Sequence, residues 1–275
     1  MLLDPNVEII LIGDDHGAAE VCQEFGIRHE PQVRRSSTGA VYLDDIFDRG
    51  QRLAAHPVTC YVNCDIMLLS DFREAISRVA SCYPRFLVAG RRWDTDIRDL
   101  WDFNRPTWEV DLRYLVSERG RMQVADAIDY FAFPRGMYDH TPPMTLARCA
   151  WDNWLVWKAK RLNAAVVDAS RDIIAIHQNH DYFYHAGGFP GILRGEEAME
   201  NRRLAGGKWH LYTLDEATHK LTGGRARYNW KHSWGPVERY LLRPAWFSLL
   251  NLTLPMRRVL GLQRSKRRRD SERQA

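Results

Sequence analysis

A chain of 275 residues that is 45% hydrophobic and carries ten Trp and eleven Tyr has the apolar material for a core, which excludes a disordered or low-complexity polymer. It contains no run of eighteen apolar residues and no N-terminal stretch that reads as a signal peptide. The expected location is therefore the cytoplasm, with peripheral contact on the cytosolic face of a membrane as a second option. The formal charge of +4 is uneven, because from Arg257 onward eight basic residues meet two acidic ones; the remainder carries about −2, and no nucleic-acid partner is expected.

Val7 to Ile12, VEIILI, is a continuous apolar run ending at Gly13, Asp14 and Asp15, and predicts a parallel strand buried on both faces. Ala18, Val21, Cys22 and Phe25 fall at helical spacing over 17–25, and Gly26 stops the helix. A short extended piece follows over 27–33. An amphipathic helix over 42–55 turns Leu43, Ile46, Phe47 and Leu53 inward. Next come a strand at 58–62, a helix from about Asp71 to Cys82, and a strand at 86–89 closed by Gly90. This alternation predicts an α/β fold, a mostly parallel sheet flanked by helices. Beyond Arg91 the pattern loosens, with strands at 130–133, 164–167 and 173–176 and helices at 151–161 and 195–204. One domain over 1–235 is expected. An amphipathic segment and basic tail over 236–275 would follow, suited either to docking as a terminal helix or to a membrane interface.

Ligands of parallel α/β sheets sit outside the carboxyl ends of the strands, where Asp14, Asp15 and Asp65 all fall. In YVNCDIMLLSDF, Asp65 interrupts an oily segment, and a carboxylate there either ligates a divalent cation on a diphosphate or caps the following turn. WDNWLVWKA places Asp152 in the first turn of a helix, as a general base or as a favourable partner of the helix dipole. IHQNHDYFYHAGG gathers His177, His180 and His185, either as ligands of metal or phosphate or as loop histidines packing on Tyr182 and Tyr184. Gly187 and Gly188 would let that loop close over a substrate. The five cysteines (22, 60, 64, 82 and 149) are odd in number and lack a CxxC pair, so reduced thiols are expected. A zinc site of Cys60 and Cys64 with His177 and His180 is disfavoured by its spacing.

In this order, VEIILIGDDHGAAEVCQEFGI, YVNCDIMLLSDF and WDNWLVWKA resemble three motifs of family-2-like glycosyltransferases with the GT-A (nucleotide-diphospho-sugar transferase) fold, over roughly residues 5–215. They match the strand–Asp–Asp opening, the metal-binding DxD region and the acidic acceptor-side motif. The resemblance implies a GT-A-like, Rossmann-type sheet and transfer of a sugar from a nucleotide-sugar donor to a hydroxyl of a glycan or glycoconjugate acceptor, assisted by Mn²⁺ or Mg²⁺. By the same resemblance, Asp14 or Asp15 contacts the donor base or ribose, and Arg91 and Arg92 line the donor pocket with Asp94. Asp65 holds the metal with His177 or His180, and Asp152 is the general base. ADAIDYFAFPRG, with Asp129 ahead of a strand, is similar to the acceptor region, where Trp151 and Trp154, besides Trp93 and Trp101, are candidates to stack on sugars.

Two departures stand out. Asn63 replaces the first Asp of the metal motif, which puts metal dependence in question. The family's opening strand has no counterpart, so either the reading frame begins upstream of Met1, or another segment fills the place, or the match is a diverged one. Two alternatives accompany this reading: a nucleotidyltransferase of similar fold, which would usually carry a Gly-rich basic phosphate loop not seen here, and a non-catalytic carbohydrate-binding or scaffold protein that kept the fold.

Overall fold

A computed structural model describes residues 6–180 and 187–234. The chain divides into two units, 1–232 and 233–275. The expected amphipathic segment and basic tail lie outside the described residues, as do Tyr182, Tyr184 and His185 of the histidine loop.

The first unit opens with β1 (Ile10–Ile12), α1 (Ala18–Phe25) and β2 (Arg28–Glu30). Gly26 takes the left-handed conformation (φ 64°) and returns its N–H to Cys22, which ends α1 where the sequence predicts. β1 and β2 pair in parallel as a two-stranded sheet of their own. The expectation that the first strand is buried on both faces is corrected, since all three residues of β1 are half-buried.

Then follow α2 (Leu43–Leu53), β3 (Val58–Val62), β4 (Ile66–Leu68), α3 (Ser70–Cys82) and β5 (Phe86–Thr95). Gly90 does not close β5, as the sequence suggested. A Cβ there would collide with the Tyr130 hydroxyl, so glycine serves a close approach, and the strand runs on through a register shift between Ala89 and Arg91. The rest comprises α4 (Trp108–Arg119), β6 (Arg121–Met122), β7 (Ile128–Pro134), α5 (Trp151–Arg161), β8 (Ala165–Asp168), β9 (Ala175–Gln178), α6 (Gly188–Arg194), α7 (Glu196–Leu204), β10 (His219–Thr222) and β11 (Arg225–Tyr228).

The main sheet has nine strands, with the order β11-β10-β8-β5-β7-β3; β6 and β9 also pair with β5, and β4 pairs with β9. It is mixed rather than mostly parallel. β8 and β9 run parallel to β5, and β10 runs parallel to β8, but β7 is antiparallel to both β5 and β3. The cause is local. β6 pairs with Trp93 and Asp94 at the carboxyl end of β5, and the short link to β7 leaves no room for the crossover that a parallel return needs.

β7 is the spine of the core, with every residue from Ile128 to Phe133 buried or nearly so. Phe131 and Phe133 pack with Leu43 and Phe47 of α2 and with Trp151, Trp154 and Leu155 of α5. Tyr130 and Ala132 face Phe72, Ile76 and Val79 of α3. Each large side chain buried in this way contributes about 1.5–3 kcal/mol. A third cluster joins Leu112 and Val116 of α4 to Leu69 and Ile176. No helix among the described residues is long and apolar enough to cross a membrane.

Candidate functional site

Sheet register builds the centre of the site. Asp94 of β5 lies opposite His177 of β9, and Ile66 of β4 lies opposite the same histidine from the other side. Asp65, one residue before β4, is thereby set beside His177. Its Oδ2 stands 3.4 Å from His177 Nε2 and 3.1 Å from His180 Nε2, and one ligand atom from each of the three residues falls within a 4.8 Å cluster. Asp65 Oδ1 is buried with no hydrogen-bond partner, an arrangement that costs about 1–3 kcal/mol unless something else meets the oxygen.

This donor set fits a divalent cation. Two imidazoles and one carboxylate suit Mn²⁺ or another transition metal better than Mg²⁺, which prefers all-oxygen surroundings. Burial works against ionisation of Asp65, but hydrogen bonds and charge from His177 and His180 outweigh it and hold the carboxyl below its ordinary value. Cys60 and Cys64 take no part, and burial pushes the Cys60 thiol up to about 12, far from a thiolate ligand.

A second layer supports the first. His177 Nδ1 is 3.1 Å from Asp94 Oδ1, at hydrogen-bond distance though out of line for one. Asp94 in turn accepts from Arg92 Nε (2.9 Å) and Gln123 Nε2 (2.6 Å). Arg92 Nη1 also donates to Asp129 Oδ2 (2.9 Å), and Asn63 Nδ2 donates to Asp129 Oδ1 (2.7 Å). The Tyr61 hydroxyl donates to Asn63 Oδ1 (2.9 Å). Asn63 is thus the link between Tyr61 and Asp129, which an ionised Asp at this position could not supply. Asp129 itself is raised above the usual carboxylate range, chiefly by burial, with Arg92 pulling the other way.

Asp152 enters from a different element. It is the second residue of α5, after Ala150 in the left-handed conformation (φ 89°), and Ala147 also has positive φ (56°). Two such non-glycine residues in four mark a backbone held against its preference, as is common beside functional groups. The holding group is Asn201 of α7, which is buried. It accepts from Thr145 N (2.8 Å) and donates to the carbonyls of Thr145 (2.9 Å) and Cys149 (3.1 Å). Asp152 keeps partial exposure, but its Oδ1 is enclosed and without a partner. Burial pushes the carboxyl up to about 7; the Asn153 backbone N–H opposes this, and the charges of Asp129 and Asp126 add to it.

Asp65, His177 and His180, the groups that support them and Asp152 line one cleft of about 1380 Å³, with Asn201 behind it. It has an apolar trough between β1 and β3 and a polar rim at their carboxyl ends. Among its lining side chains are seven carboxylates (Glu8, Asp15, Asp65, Asp94, Asp126, Asp129 and Asp152) against three arginines, an excess of four negative charges. Each arginine is already engaged: Arg35 by Asp14 and Asp15, Arg92 by Asp94 and Asp129, and Arg148 by Glu197.

Of the residues singled out in the sequence, Asp15, Asp65, Arg92, Asp94, Asp129, Trp151, Asp152, His177 and His180 line the cleft, while Asp14, Arg91 and Trp154 do not. Asp14 is tied to Arg35, whose hydrogen bond holds its carboxyl below the ordinary range. Arg91 precedes Arg92 on β5, where successive side chains point to opposite faces, and it falls outside the lining; its backbone N–H is taken by Ser170 Oγ (2.9 Å). The expectation that Trp154 stacks on a sugar is corrected. Trp154 is 5% exposed in the core, and Trp151, equally enclosed, packs edge-on to Tyr61 (5.4 Å) and against Phe131. Trp93 and Trp101, partly buried, pack against the third hydrophobic cluster. Tyr61, Gln123, Asp126 and Arg148 were not anticipated. Only register brings Gln123 to Asp94, and no local pattern marks it.

A comparison with protein-family models finds no match to this chain, and neither the curated proteins nor the solved structures searched give one.

Proposed function

We propose that the protein is a metal-assisted glycosyltransferase acting on a nucleoside-diphosphate sugar. The observation that carries this reading is the Asp65–His177–His180 cluster at the rim of a cleft that also holds Asp152, a carboxylate poised near neutral pH. Asp65, His177 and His180 would hold the cation, which when bound offsets the charge of a diphosphate. Asp94 would keep the His177 ring in place from behind, with Arg92 and Gln123 fixing Asp94. Asp152 would take the proton of the acceptor hydroxyl at a carboxylate oxygen. The acceptor oxygen then bonds to the anomeric carbon as the bond to the diphosphate breaks, and the nucleoside diphosphate leaves with the electron pair. A base with a pKa near the working pH is the most effective kind, worth ~10²–10⁴ in rate. Because the arginines of the cleft are already paired, the charge of a diphosphate would have to be met by the cation.

The test is calorimetric titration of the purified chain with UDP- and GDP-sugars, with Mn²⁺ and with EDTA. Donor binding is expected only with the metal, and Asp65→Ala should abolish it while leaving the melting temperature within a few degrees. Donor affinity that is unchanged by EDTA or by Asp65→Ala would refute the assignment.

A further inference from the structure

The main sheet ends at β11, which among the described residues pairs only with β10 and so presents a free edge. In this hairpin Leu221 lies opposite Ala226, and both pack on the cluster that holds Phe72 and Val79 of α3. The alternate positions therefore face solvent: Lys220 opposite Arg227, and Thr222 opposite Arg225. Lys220, Arg225 and Arg227 are all exposed, and like charges set directly opposite one another weaken a strand pair. Among the described residues none of the three has an ion-pair partner, nor has the exposed Lys231 just beyond them. Asp172, the acid at the hairpin's turn, is engaged by the N–H groups of Gly223 (3.0 Å) and Gly224 (2.6 Å).

A turn at 229–232 follows β11 and is firmly held. Asn229 donates to the carbonyls of Ala217 (2.8 Å) and Thr218 (2.8 Å). His232 hydrogen-bonds the Tyr228 hydroxyl (2.7 Å) and meets Lys160 Nζ (3.1 Å). On this anchored turn Trp230 stands 84% exposed, in edge contact with Tyr228 (4.8 Å). Basic side chains alone would blunt the free edge against aggregation, but an indole presented beside them undoes that protection. An amphipathic ring among cations matches a bilayer interface, where the ring sits at headgroup level and the cations meet phosphates.

We propose that the β10–β11 hairpin and its turn dock on an anionic lipid bilayer, with Trp230 in the interface and Lys220, Arg225, Arg227 and Lys231 on lipid phosphates. Charge decides between the occupants. Residues 233–275 hold ten basic and three acidic residues, a net of +7, and so do not complement the patch. A second copy of the hairpin would set the same cations against each other. The sequence from Pro244 to Met256 is uncharged and holds Trp246, Phe247 and four leucines, which a bilayer interface accepts and a nucleic acid does not. Tyr228 lies opposite His219, His219 opposite Val167, and Val167 opposite Val88, three strands across and ~20 Å along β5 from Asp94. The surface is thus separate from the metal cluster, and the proposal stands whatever reaction occurs there.

The test is co-sedimentation of the full-length protein with vesicles of phosphatidylcholine, with and without phosphatidylglycerol. Binding is expected only to the anionic vesicles. Arg225→Gln, Arg227→Gln and Lys231→Gln together should weaken it ~10²-fold, at about fivefold per charge. Trp230→Ala, which removes no charge, should weaken it about tenfold. All four side chains are exposed, so the melting temperature should hold; if the triple variant does not fold, Trp230→Ala carries the comparison. The proposal is overturned if the parent ignores anionic vesicles, or if either folded variant binds them as the parent does, since residues 233–275 would then carry the contact alone. It is equally overturned if the variants keep vesicle binding and lose binding to a single-stranded RNA, which would make the patch a nucleic-acid surface.

Discussion

Asp152→Asn should make the protein more stable and less active at once, with a pH dependence that identifies the cause. The folded carboxyl titrates at about 7 and the free group at 3.8, so the fold favours the protonated form. Below pH 3.8 both states are protonated and the fold bears no penalty. As pH rises the unfolded chain loses its proton first, and stability falls until the folded group also ionises, at about 7. The full loss is about 4 kcal/mol, of which about 2 kcal/mol develops between pH 5.5 and pH 8.5. Asparagine does not titrate and is spared it. Relative to the parent, the variant should therefore gain about 2 kcal/mol more at pH 8.5 than at pH 5.5, or about 4–8 °C in melting temperature at ~2–4 °C per kcal/mol. Thermal denaturation of both proteins at the two pH values reads this directly. Transfer from a sugar nucleotide should rise through pH 7 in the parent and fall by at least ~10²-fold in the variant, with donor affinity kept. A melting difference independent of pH, or a variant less stable at pH 8.5, would refute the argument that the carboxylate is held in an enclosed, uncompensated place.

Other substitutions probe the supports. Asp94→Asn should weaken Mn²⁺ binding about 10–100-fold by calorimetry, because His177 loses the group behind its ring. Asn63→Asp should not strengthen metal binding although it restores the expected motif; it sets a second carboxylate against Asp129, and a loss of about 1–3 kcal/mol in denaturant unfolding is expected. Asn201→Ala leaves the N–H of Thr145 and two carbonyls without partners beneath the Asp152 loop, and should cost about 2–4 kcal/mol and lower transfer without changing metal affinity.

The elements that sequence reasoning placed best were those with a strong local signal. Trp151–Arg161 and Val58–Val62 lie at the expected positions, the first because its apolar residues keep helical spacing, the second because a short β-rich apolar run marks it. α4 was missed, since its apolar residues Trp108, Val110, Leu112, Leu115 and Val116 follow no single stripe and three of them stay exposed or half-exposed. The antiparallel course of β7 was also illegible. Direction depends on where the chain stands when β6 ends, and no residue of Ile128–Pro134 encodes that. In the site, Asp65 was readable as an acid out of place in an apolar run, and His177 and His180 as a dense histidine pair. Their meeting was not readable from spacing, since 112 positions separate Asp65 from His177 and only the β4–β9 register joins them. The tryptophans misled because a large aromatic near a site has two fates, and burial is the commoner one.

Electrostatics ties the cation to the rest of the cleft. A diphosphate brought within about 5 Å of one unneutralised carboxylate meets a repulsion of about 3 kcal/mol per charge pair at an effective dielectric of 20. Four excess negative charges line the cleft, and the arginines there are committed to acids that need them. A divalent ion held at Asp65 would add two positive charges, half of that excess. Asp152, raised by burial to about 7, is only partly ionised near neutral pH, which lowers the remainder, while its ionised form is the one that can take the acceptor proton. A neutral sugar bound by a non-catalytic scaffold would need neither the cation nor the raised carboxyls, and for such a protein an enclosed, unpartnered Asp152 would be only a cost.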